Sequence, residues 1–331
     1  MISRQFISKI FAFFVGLSCV YIAYEFNSKS NTVLSGSIYG TTWTISSSDY
    51  ISDYHQVNIN KILNSVDFIA SNYKDTSEVS IINIKPLNNY FEISDELIEL
   101  ITTAEIVKNQ SNGFYDITLG KISASKGFSP DFGLDLSNDI SAGNKKYELK
   151  TNKIIKYQDF WFDMSSIAKG FAVQQIHDYL ISNDLTNHLI DIGGEVIING
   201  TNKSNAWVIG IQDPRNQLDK PFFLVSNDKS NFLAIATSGE YRNYRYDNDK
   251  LVTHTFDPFT KKSISGNLES ITIISQNSAT IADAYATAVN VMGFERGLDF
   301  VNSNGIAALF IINEEGELKS IKSQKWYDLE L

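Results

Sequence analysis

Apolar side chains recur every three or four residues in four stretches of the chain, which is the spacing of one buried helix face. These stretches are residues 59–70, 94–108, 167–180 and 278–292. The second opens on a serine followed by two acidic residues, as a capped helix start does, and the fourth is followed by Gly293, a common helix stop. We therefore expect four main helices.

Other stretches indicate strands. Residues 39–46 alternate with the period of two that a half-buried strand requires. Short β-rich runs follow at residues 188–192, 195–198, 207–211, 222–225, 232–236, 251–256, 268–274 and 306–312. Several of these succeed one another without a helix between them, which argues against a regularly alternating βαβ architecture. The sequence therefore predicts an α+β fold, with residues 129–150 as an irregular insertion.

Length and charge limit the classes of protein to which this chain can belong. The 331 residues can form one large domain or two intimate ones. With 28 basic and 38 acidic residues the formal net charge is 28 − 38 = −10, so we expect no nucleic-acid partner. Cys19 is the only cysteine, which excludes an intrachain disulfide and a cysteine-based zinc site.

The N-terminus resembles an export signal, because Arg4 and Lys9 precede an apolar run over residues 10–24. One outcome is cleavage before Cys19 with lipid attachment there. The other, which we favour because the apolar run continues past the cysteine, is an uncleaved anchor formed by residues 1–26. A buried core helix is a third interpretation.

The division of the chain follows from that anchor. Residues 27–31 would be a polar tether, and residues 32–331 would form the folded body at the periplasmic face of the inner membrane.

Asp283 and Thr287 are four residues apart in an alanine-rich helical pattern, so their oxygens would project from one helix face. Magnesium prefers such oxygen ligands, and a carbonyl from elsewhere could complete the site. The competing interpretation is structural, with Thr287 bonded to a backbone carbonyl of its own helix and Asp283 capping a neighbour.

A second polar cluster lies in residues 163–170. Ser165 or Ser166 could open a helix with Lys169 one turn in, so that free amide groups and an ammonium would hold a phosphate. Asp163 could then accept a hydrogen bond from the ligand. An ordinary capped helix with a solvated lysine explains the same residues.

Three further groups each allow two interpretations. The paired glycines at 193 and 194 permit either a plain hairpin or a close approach to a ligand. His254 could take a proton from a hydroxyl nucleophile or be a structural histidine beside a turn. Residues 113–116 offer aromatic faces beside a carboxylate, suited to a flat heteroaromatic ring, or simply pack in the core.

Together, the content and order of these groups resemble the ApbE family of FAD:protein FMN transferases. The similar blocks are residues 39–43, 71–80, 113–116, 163–170, 193–195, 207–215, 237–241, 254–258 and 282–287. The resemblance implies an ApbE-like α+β fold, with mixed or antiparallel sheets flanked by helices. The chain departs from the family pattern after Pro258, where Phe259 replaces the usual arginine, and at Glu195 and Glu240, where aspartate is frequent.

By the same resemblance, Mg²⁺ would be bound by Asp283, Thr287 and the backbone carbonyl of Ser166, and Asp283 and His254 would be catalytic. His254 is the candidate base, with a nearby carboxylate as the alternative. The residues that would contact FAD are Tyr39, Tyr73, Phe114, Tyr115, Asp116, Asp163, Lys169 and Asp257. The reaction implied is transfer of FMN from FAD to a threonine hydroxyl in a subunit of a membrane redox complex, with release of AMP. Two alternatives are a Mg²⁺-dependent FAD pyrophosphatase and a non-catalytic FAD-binding lipoprotein.

Overall fold

The structure is a computed structural model that describes residues 9, 11–21, 31–134, 136, 145–215, 220–240, 244–247 and 250–330. In these ranges the strands are β1 (Thr32–Ile38), β2 (Thr41–Ser47), β3 (Tyr90–Glu92), β4 (Tyr147–Lys150), β5 (Lys153–Lys156), β6 (His188–Ile192), β7 (Glu195–Asn199), β8 (Val208–Ile211), β9 (Phe223–Ser226), β10 (Phe232–Gly239), β11 (Tyr244–Asp247), β12 (Lys250–Thr253), β13 (Leu268–Ser275), β14 (Ala307–Glu314) and β15 (Glu317–Lys322). The helices are α1 (Asp53–Ala70), α2 (Glu78–Asn83), α3 (Asp95–Gln110), α4 (Gly120–Ser125), α5 (Ala168–Ser182), α6 (Ala279–Met292), α7 (Phe294–Ser303) and α8 (Gln324–Asp328).

One large sheet organises the fold. Its eight strands run in the order β1-β2-β6-β7-β10-β13-β14-β15, and each neighbouring pair is antiparallel. Smaller sheets are formed by β3-β5-β4, β8-β9 and β11-β12. The α+β prediction is confirmed, and the described strand pairs are antiparallel rather than mixed.

Both faces of the large sheet are covered. Along β7, Ile197 faces the core that contains α1, α3, α5 and α6, whereas Val196 and Ile198 face a second core with Trp207 and Trp326. This alternation places helices on one side, and the β8-β9 hairpin and α8 on the other. The elements α5 and α6, which carry the predicted site, therefore lie between the sheet and α1 and α3.

The predicted helices form with small shifts at their ends. The hydroxyls of Ser94 and Ser278 accept backbone N–H groups at the starts of α3 and α6, as N-caps do. Gly293 ends α6 with φ = 75°. The predictions of these helix ends are confirmed, because each end depends on residues that are adjacent in sequence.

The predicted start of one strand and the predicted insertion are wrong in detail. Tyr39 does not begin a strand, because Tyr39 and Gly40 both have positive φ and form the turn between β1 and β2. Residues 129–150 are not irregular throughout, because Tyr147–Lys150 is β4 and pairs with β5. Most of the remaining insertion lies outside the described residues.

Residues 11–21 are helical and exposed, and Cys19 is exposed among them. Within the described ranges, no helix has both the length and the hydropathy needed to cross a membrane. The predicted membrane segment thus gains no support from the structure, and its residues 1–8, 10 and 22–26 lie outside the described part.

His177 and His188 form a buried pair toward the C-terminal end of α5. Nδ1 of His177 lies 2.9 Å from Nε2 of His188, whose Nδ1 donates to the carbonyl of Leu185. Burial, reinforced by the positive charge of a protonated His177, lowers the pKa of His188 to about 4. Burial also lowers the pKa of His177, with Asp178 opposing it. The folded protein therefore favours the neutral pair.

We expect the free energy of unfolding to fall as the pH decreases from about 6.5 to about 4. An unfolded histidine gains its proton near the upper value, whereas folded His188 stays neutral until the lower one, so the unfolded state binds more protons between them. The contribution is at most about 3 kcal/mol.

The free energy of unfolding should be measured by urea denaturation at several pH values in this window. Its slope against pH should be shallower for His188→Gln than for the unaltered protein. Equal pH slopes for the variant and the unaltered protein would contradict this account. His55→Gln is the control variant.

Candidate active site at the contact of α5 and α6

The first turn of α5 packs directly on α6 at Gly170 and Asp283. The amide of Gly170 donates a 2.9 Å hydrogen bond to Oδ2 of Asp283. A Cβ on Gly170 would lie 2.5 Å from the carbonyl oxygen of Ala279 and 2.6 Å from the Cβ of Asp283, so the contact requires glycine. Asp283 is 5% exposed. The two helices thus hold a carboxylate where little water reaches it.

The charge of Asp283 is influenced by its surroundings. Burial raises the pKa of Asp283, while the ammonium of Lys169 and the amide of Gly170 act in the opposite direction without cancelling the rise. Thr287 is half-buried one turn further along α6, so it shares a helix face with Asp283. A carboxylate and a hydroxyl therefore lie on one side of this helix, as the sequence predicted.

Tyr115 belongs to the same region although it comes from the loop after α3. Its side chain is 1% exposed, and its hydroxyl lies 3.0 Å from Oγ of Ser166. Burial raises the pKa of Tyr115, the bond to Ser166 lowers it, and the charges of Asp283 and Asp163 raise it further. Since these electrostatic effects require proximity, Tyr115 and Ser166 lie close to Asp283.

Lys169 pairs with Glu195, the first residue of β7. The Glu195 side chain is 3% exposed and that of Lys169 is 29% exposed. The hairpin before Glu195 turns at Gly193, which has φ = 62° and whose Cβ would lie 2.8 Å from Cγ2 of Thr41. The β6-β7 turn therefore packs against the start of β2 and supplies Lys169 with a buried partner.

The start of α5 differs from the prediction. We expected Ser165 or Ser166 to open the helix with Lys169 one turn in, but α5 begins at Ala168. Ser165 instead bonds to Oδ1 of Asp163, with its hydroxyl at 2.6 Å and its amide at 3.0 Å.

Lys169 lies in the first turn of α5. The expected free amides are wrong, because the amide of Ala168 donates to the carbonyl of Met164 and that of Gly170 donates to Asp283.

Asp116 is fully engaged with the protein. Its carboxylate accepts hydrogen bonds from Lys108 at 2.8 Å, from Lys146 at 3.3 Å, and from the amide and hydroxyl of Thr118. Burial alone would raise the pKa of Asp116, but the two lysines and these hydrogen bonds outweigh burial and lower it. Asp116 therefore stays ionised and joins α3 to the segment before β4.

Tyr73 is 64% exposed and its hydroxyl donates a 2.7 Å hydrogen bond to the carbonyl of Phe128. Burial of its hydroxyl end and the charge of Asp163 raise the pKa of Tyr73, while Arg245 lowers it. Tyr73 therefore lies near both Asp163 and Arg245.

His254 was expected inside a strand over residues 251–256, but β12 ends at Thr253. The strand stops because the amide and hydroxyl of Thr253 both bond to Oγ of Ser263, which folds the chain back on itself. The His254 ring is half-buried and lies 6.3 Å from the ring of Phe128, centroid to centroid. His254 therefore shares a neighbour with Tyr73.

Phe114 and Asp257 both contact Phe259. The ring of Phe114 meets that of Phe259 edge to face at 5.0 Å. Oδ1 of Asp257 accepts the amides of Phe259 at 2.7 Å and Thr260 at 3.2 Å, so it stabilises the turn that carries Phe259. In this structure Asp257 has a structural role.

Tyr39 lies in the β1-β2 turn, and its hydroxyl donates to the carbonyl of Leu63 at 2.7 Å. Burial raises the pKa of Tyr39, and the negative charge of Asp67 raises it to a smaller extent. Thr41, two residues further on, contacts Gly193, which leads to Glu195. Tyr39 is thereby connected to the region around Lys169 through the two hairpin turns.

The structure thus brings together Tyr115, Ser166 and Asp283, with Lys169 close enough for its charge to act on Asp283. His254 and Tyr73 form a second group around Phe128, and Phe114 contacts Phe259.

Sequence reasoning missed the role of Gly170 and the pairing of Glu195. The available signal for Gly170 was a glycine beside a lysine in a helix that faces an alanine-rich helix. The pairing of Glu195 with Lys169 has no local signal, because the two residues belong to separate elements.

In the described part of the chain, no group of three or more His, Cys, Asp or Glu side chains is arranged to hold a metal. The predicted magnesium ligands are of another kind, namely one carboxylate from Asp283, one hydroxyl from Thr287 and one carbonyl from Ser166. The hydrogen bond between the hydroxyls of Tyr115 and Ser166 connects the segment that carries this carbonyl to the region around Asp283. This oxygen-rich set suits a hard cation.

A helix contact that buries a carboxylate beside a lysine offers an oxygen ligand for a hard cation and a cation for a phosphorylated ligand. The chain belongs to the ApbE family, whose model matches residues 39–310.

Individual relatives are similar over almost the whole chain. The FAD:protein FMN transferase of Vibrio cholerae is 30% identical over 311 residues, covering 88% of this chain and 91% of the relative. The protein of the same name from Haemophilus influenzae is 30% identical over 302 residues, covering 85% and 86%.

Solved structures agree with the fold. The flavin transferase ApbE from Vibrio cholerae superimposes with a TM-score of 0.77 at 28% identity, covering 90% of this chain and 99% of that one. The apo form of the Pseudomonas stutzeri flavinyl transferase ApbE gives 0.79 at 27% identity, covering 91% and 96%.

Proposed function

We propose that this chain transfers FMN from FAD to a threonine hydroxyl of a partner protein and releases AMP. The observation that carries the proposal is the buried carboxylate of Asp283, held by the amide of Gly170 beside Lys169. Relatives called FAD:protein FMN transferase, similar over most of the chain, support the same activity.

FAD would bind along the surface that joins these groups. The residues proposed to contact it are Tyr39, Tyr73, Phe114, Tyr115, Asp116, Asp163, Lys169 and Asp257. The exposed ring of Tyr73 and the half-buried ring of Phe114 offer flat apolar faces for a heteroaromatic ring. The cation of Lys169 suits the diphosphate.

Magnesium would be held by Asp283, Thr287 and the carbonyl of Ser166. When bound, it would supply positive charge against the diphosphate oxygens of FAD. The described donors fit this ion because they are oxygens and include a carboxylate that is largely withdrawn from water.

The residues of the chain have separate tasks in the reaction. The threonine oxygen forms a bond to the phosphorus of the FMN half, and the bond from that phosphorus to the oxygen of AMP breaks, so AMP leaves with the bridging oxygen. His254 accepts the hydroxyl proton. Lys169 stabilises charge on the diphosphate as the bond breaks.

The proposed partner is a threonine-bearing subunit of a membrane redox complex. We further propose that residues 1–26 anchor the folded body at the periplasmic face of the inner membrane, with Cys19 as an alternative lipidation site. The basic residues followed by an apolar run support export.

Incubation of FAD and Mg²⁺ with and without the acceptor tests the function. If FMN is transferred, AMP should be released only when the acceptor is present. The amount of AMP released should equal the amount of FMN attached to the acceptor. AMP release at the same rate without acceptor would instead favour a pyrophosphatase. Tight FAD retention without AMP in either case would indicate a flavin-binding protein.

We expect His254→Gln to slow acceptor flavinylation by on the order of a hundredfold or more at neutral pH, because glutamine cannot accept the hydroxyl proton. FAD binding should change little. His55→Gln is the matched control, since His55 lies on α1 and contacts Tyr179 at 2.8 Å. An unchanged rate and pH profile in His254→Gln would remove this histidine from the mechanism.

A further inference from the structure

Two buried carboxylates attract the ammonium of Lys169. It forms an ion pair with Glu195, whose side chain is 3% exposed. Its charge also acts on Asp283, which is 5% exposed and belongs to α6. Lys169 is followed by Gly170, whose amide donates to Asp283, so this turn of α5 is held against α6. One cation therefore has two acidic neighbours, and the structure pairs it with Glu195.

The backbone that carries Glu195 is held by strand pairing. Glu195 is the first residue of β7 and pairs with Ile192 on β6, which in turn pairs with Trp43 on β2. In the turn that joins β6 to β7, the amide of Gly193 donates to the carbonyl of Thr42 at 3.1 Å. The Glu195 carboxylate is thus presented to Lys169 from a turn that is fixed to the large sheet.

An ion pair of Lys169 with Asp283 would compete with the proposed magnesium ion. Asp283 is the one carboxylate of the proposed ligand set, and its Oδ2 already accepts the amide of Gly170. An ammonium bonded to this carboxylate would neutralise the charge that attracts Mg²⁺ and would repel the ion. The pairing of Lys169 with Glu195 opposes this competition.

We propose that Glu195 is a positioning residue that keeps the ammonium of Lys169 off Asp283 and so leaves this carboxylate to the metal ion. The inference rests on the proposed function, because it assumes that Asp283 holds a divalent cation. Without the charge of Glu195, the ammonium would move toward Asp283. The protein would then bind a divalent cation more weakly.

Binding of Mn²⁺ to the FAD-free protein tests the inference without measuring turnover, with free Mn²⁺ followed by its electron paramagnetic resonance signal. Glu195→Gln keeps the size of the side chain and removes its charge. We expect this variant to raise the Kd for Mn²⁺ by about tenfold or more, the effect of one nearby unit charge on a carboxylate. Lys169→Gln/Glu195→Gln lacks the competing ammonium, so its Kd should return close to that of the unaltered protein.

Glu314→Gln is the matched control, because Glu314 of β14 forms an exposed ion pair with Lys319 of β15. The same chemical change there should leave the Kd for Mn²⁺ unchanged. The double variant separates positioning from folding. A merely structural role for Glu195 would weaken Mn²⁺ binding in the single and the double variant alike, whereas relief of competition restores it only in the double variant.

Two results would overturn the inference alone: an unchanged Kd for Mn²⁺ in Glu195→Gln, or a double variant that binds Mn²⁺ as weakly as Glu195→Gln. The second result would assign Glu195 to the stability of the β6-β7 turn. If the unaltered protein bound Mn²⁺ no better than Asp283→Asn, the proposed magnesium site itself would be contradicted, and the inference would fall with it.

Discussion

Replacing Asp283 by alanine is expected to reduce AMP release by about a hundredfold to a thousandfold, the loss seen when a group that stabilises transition-state charge is removed. The variant loses the carboxylate proposed to hold magnesium and leaves the amide of Gly170 without its acceptor. AMP release from FAD, measured at saturating Mg²⁺ with acceptor present, checks the prediction.

Asp283→Asn and Asp299→Ala separate chemistry from folding. Asparagine retains the shape of the side chain and an oxygen for the amide of Gly170, so the fold should survive while activity is lost. Asp299 is an exposed carboxylate on α7, and its loss should leave the rate unchanged. Normal turnover in folded Asp283→Asn would exclude the carboxylate charge from the mechanism.

Gly170→Ala should damage both stability and activity. Its new Cβ would lie 2.5 Å from the carbonyl oxygen of Ala279 and 2.6 Å from the Cβ of Asp283, so α5 and α6 must move apart. Such overpacking costs about 1–3 kcal/mol. The displacement also weakens the bond that holds Asp283, so kcat should fall by about tenfold or more. Urea unfolding and AMP release measure the two effects.

Gly266→Ala provides the matched control for that change. No heavy atom lies within 4 Å of the Cβ position at Gly266, so the same chemical substitution should be nearly neutral there. If Gly170→Ala retained the stability and the rate of the Gly266 variant, the close helix contact would not be important for the site.

The helices were predictable because their signals are local. The caps at Ser94 and Ser278 and the stop at Gly293 each act on residues within one turn. Strand β1 was missed because it is an edge strand of mostly small and polar residues, exposed at every second position, with little apolar contrast. Its partner β2 carries Trp43 and Ile45 and was recognised.

The candidate site was predictable only in part. Asp283 and Thr287 are neighbours on one helix, so spacing alone placed them on the same face. The partners of Lys169 and Asp283 come from β7 and from α5, far away in sequence, and are set by tertiary packing. The contact of Phe259 with Phe114 is non-local in the same way.

The most direct test of the central claim, that a hydroxyl displaces AMP from FAD at the α5–α6 contact, is the intact mass of the acceptor protein after incubation with FAD, Mg²⁺ and the enzyme. The account predicts an added mass of one FMN less one water, located on a threonine by peptide fragmentation and absent with Asp283→Asn. An acceptor of unchanged mass while AMP accumulates would contradict it.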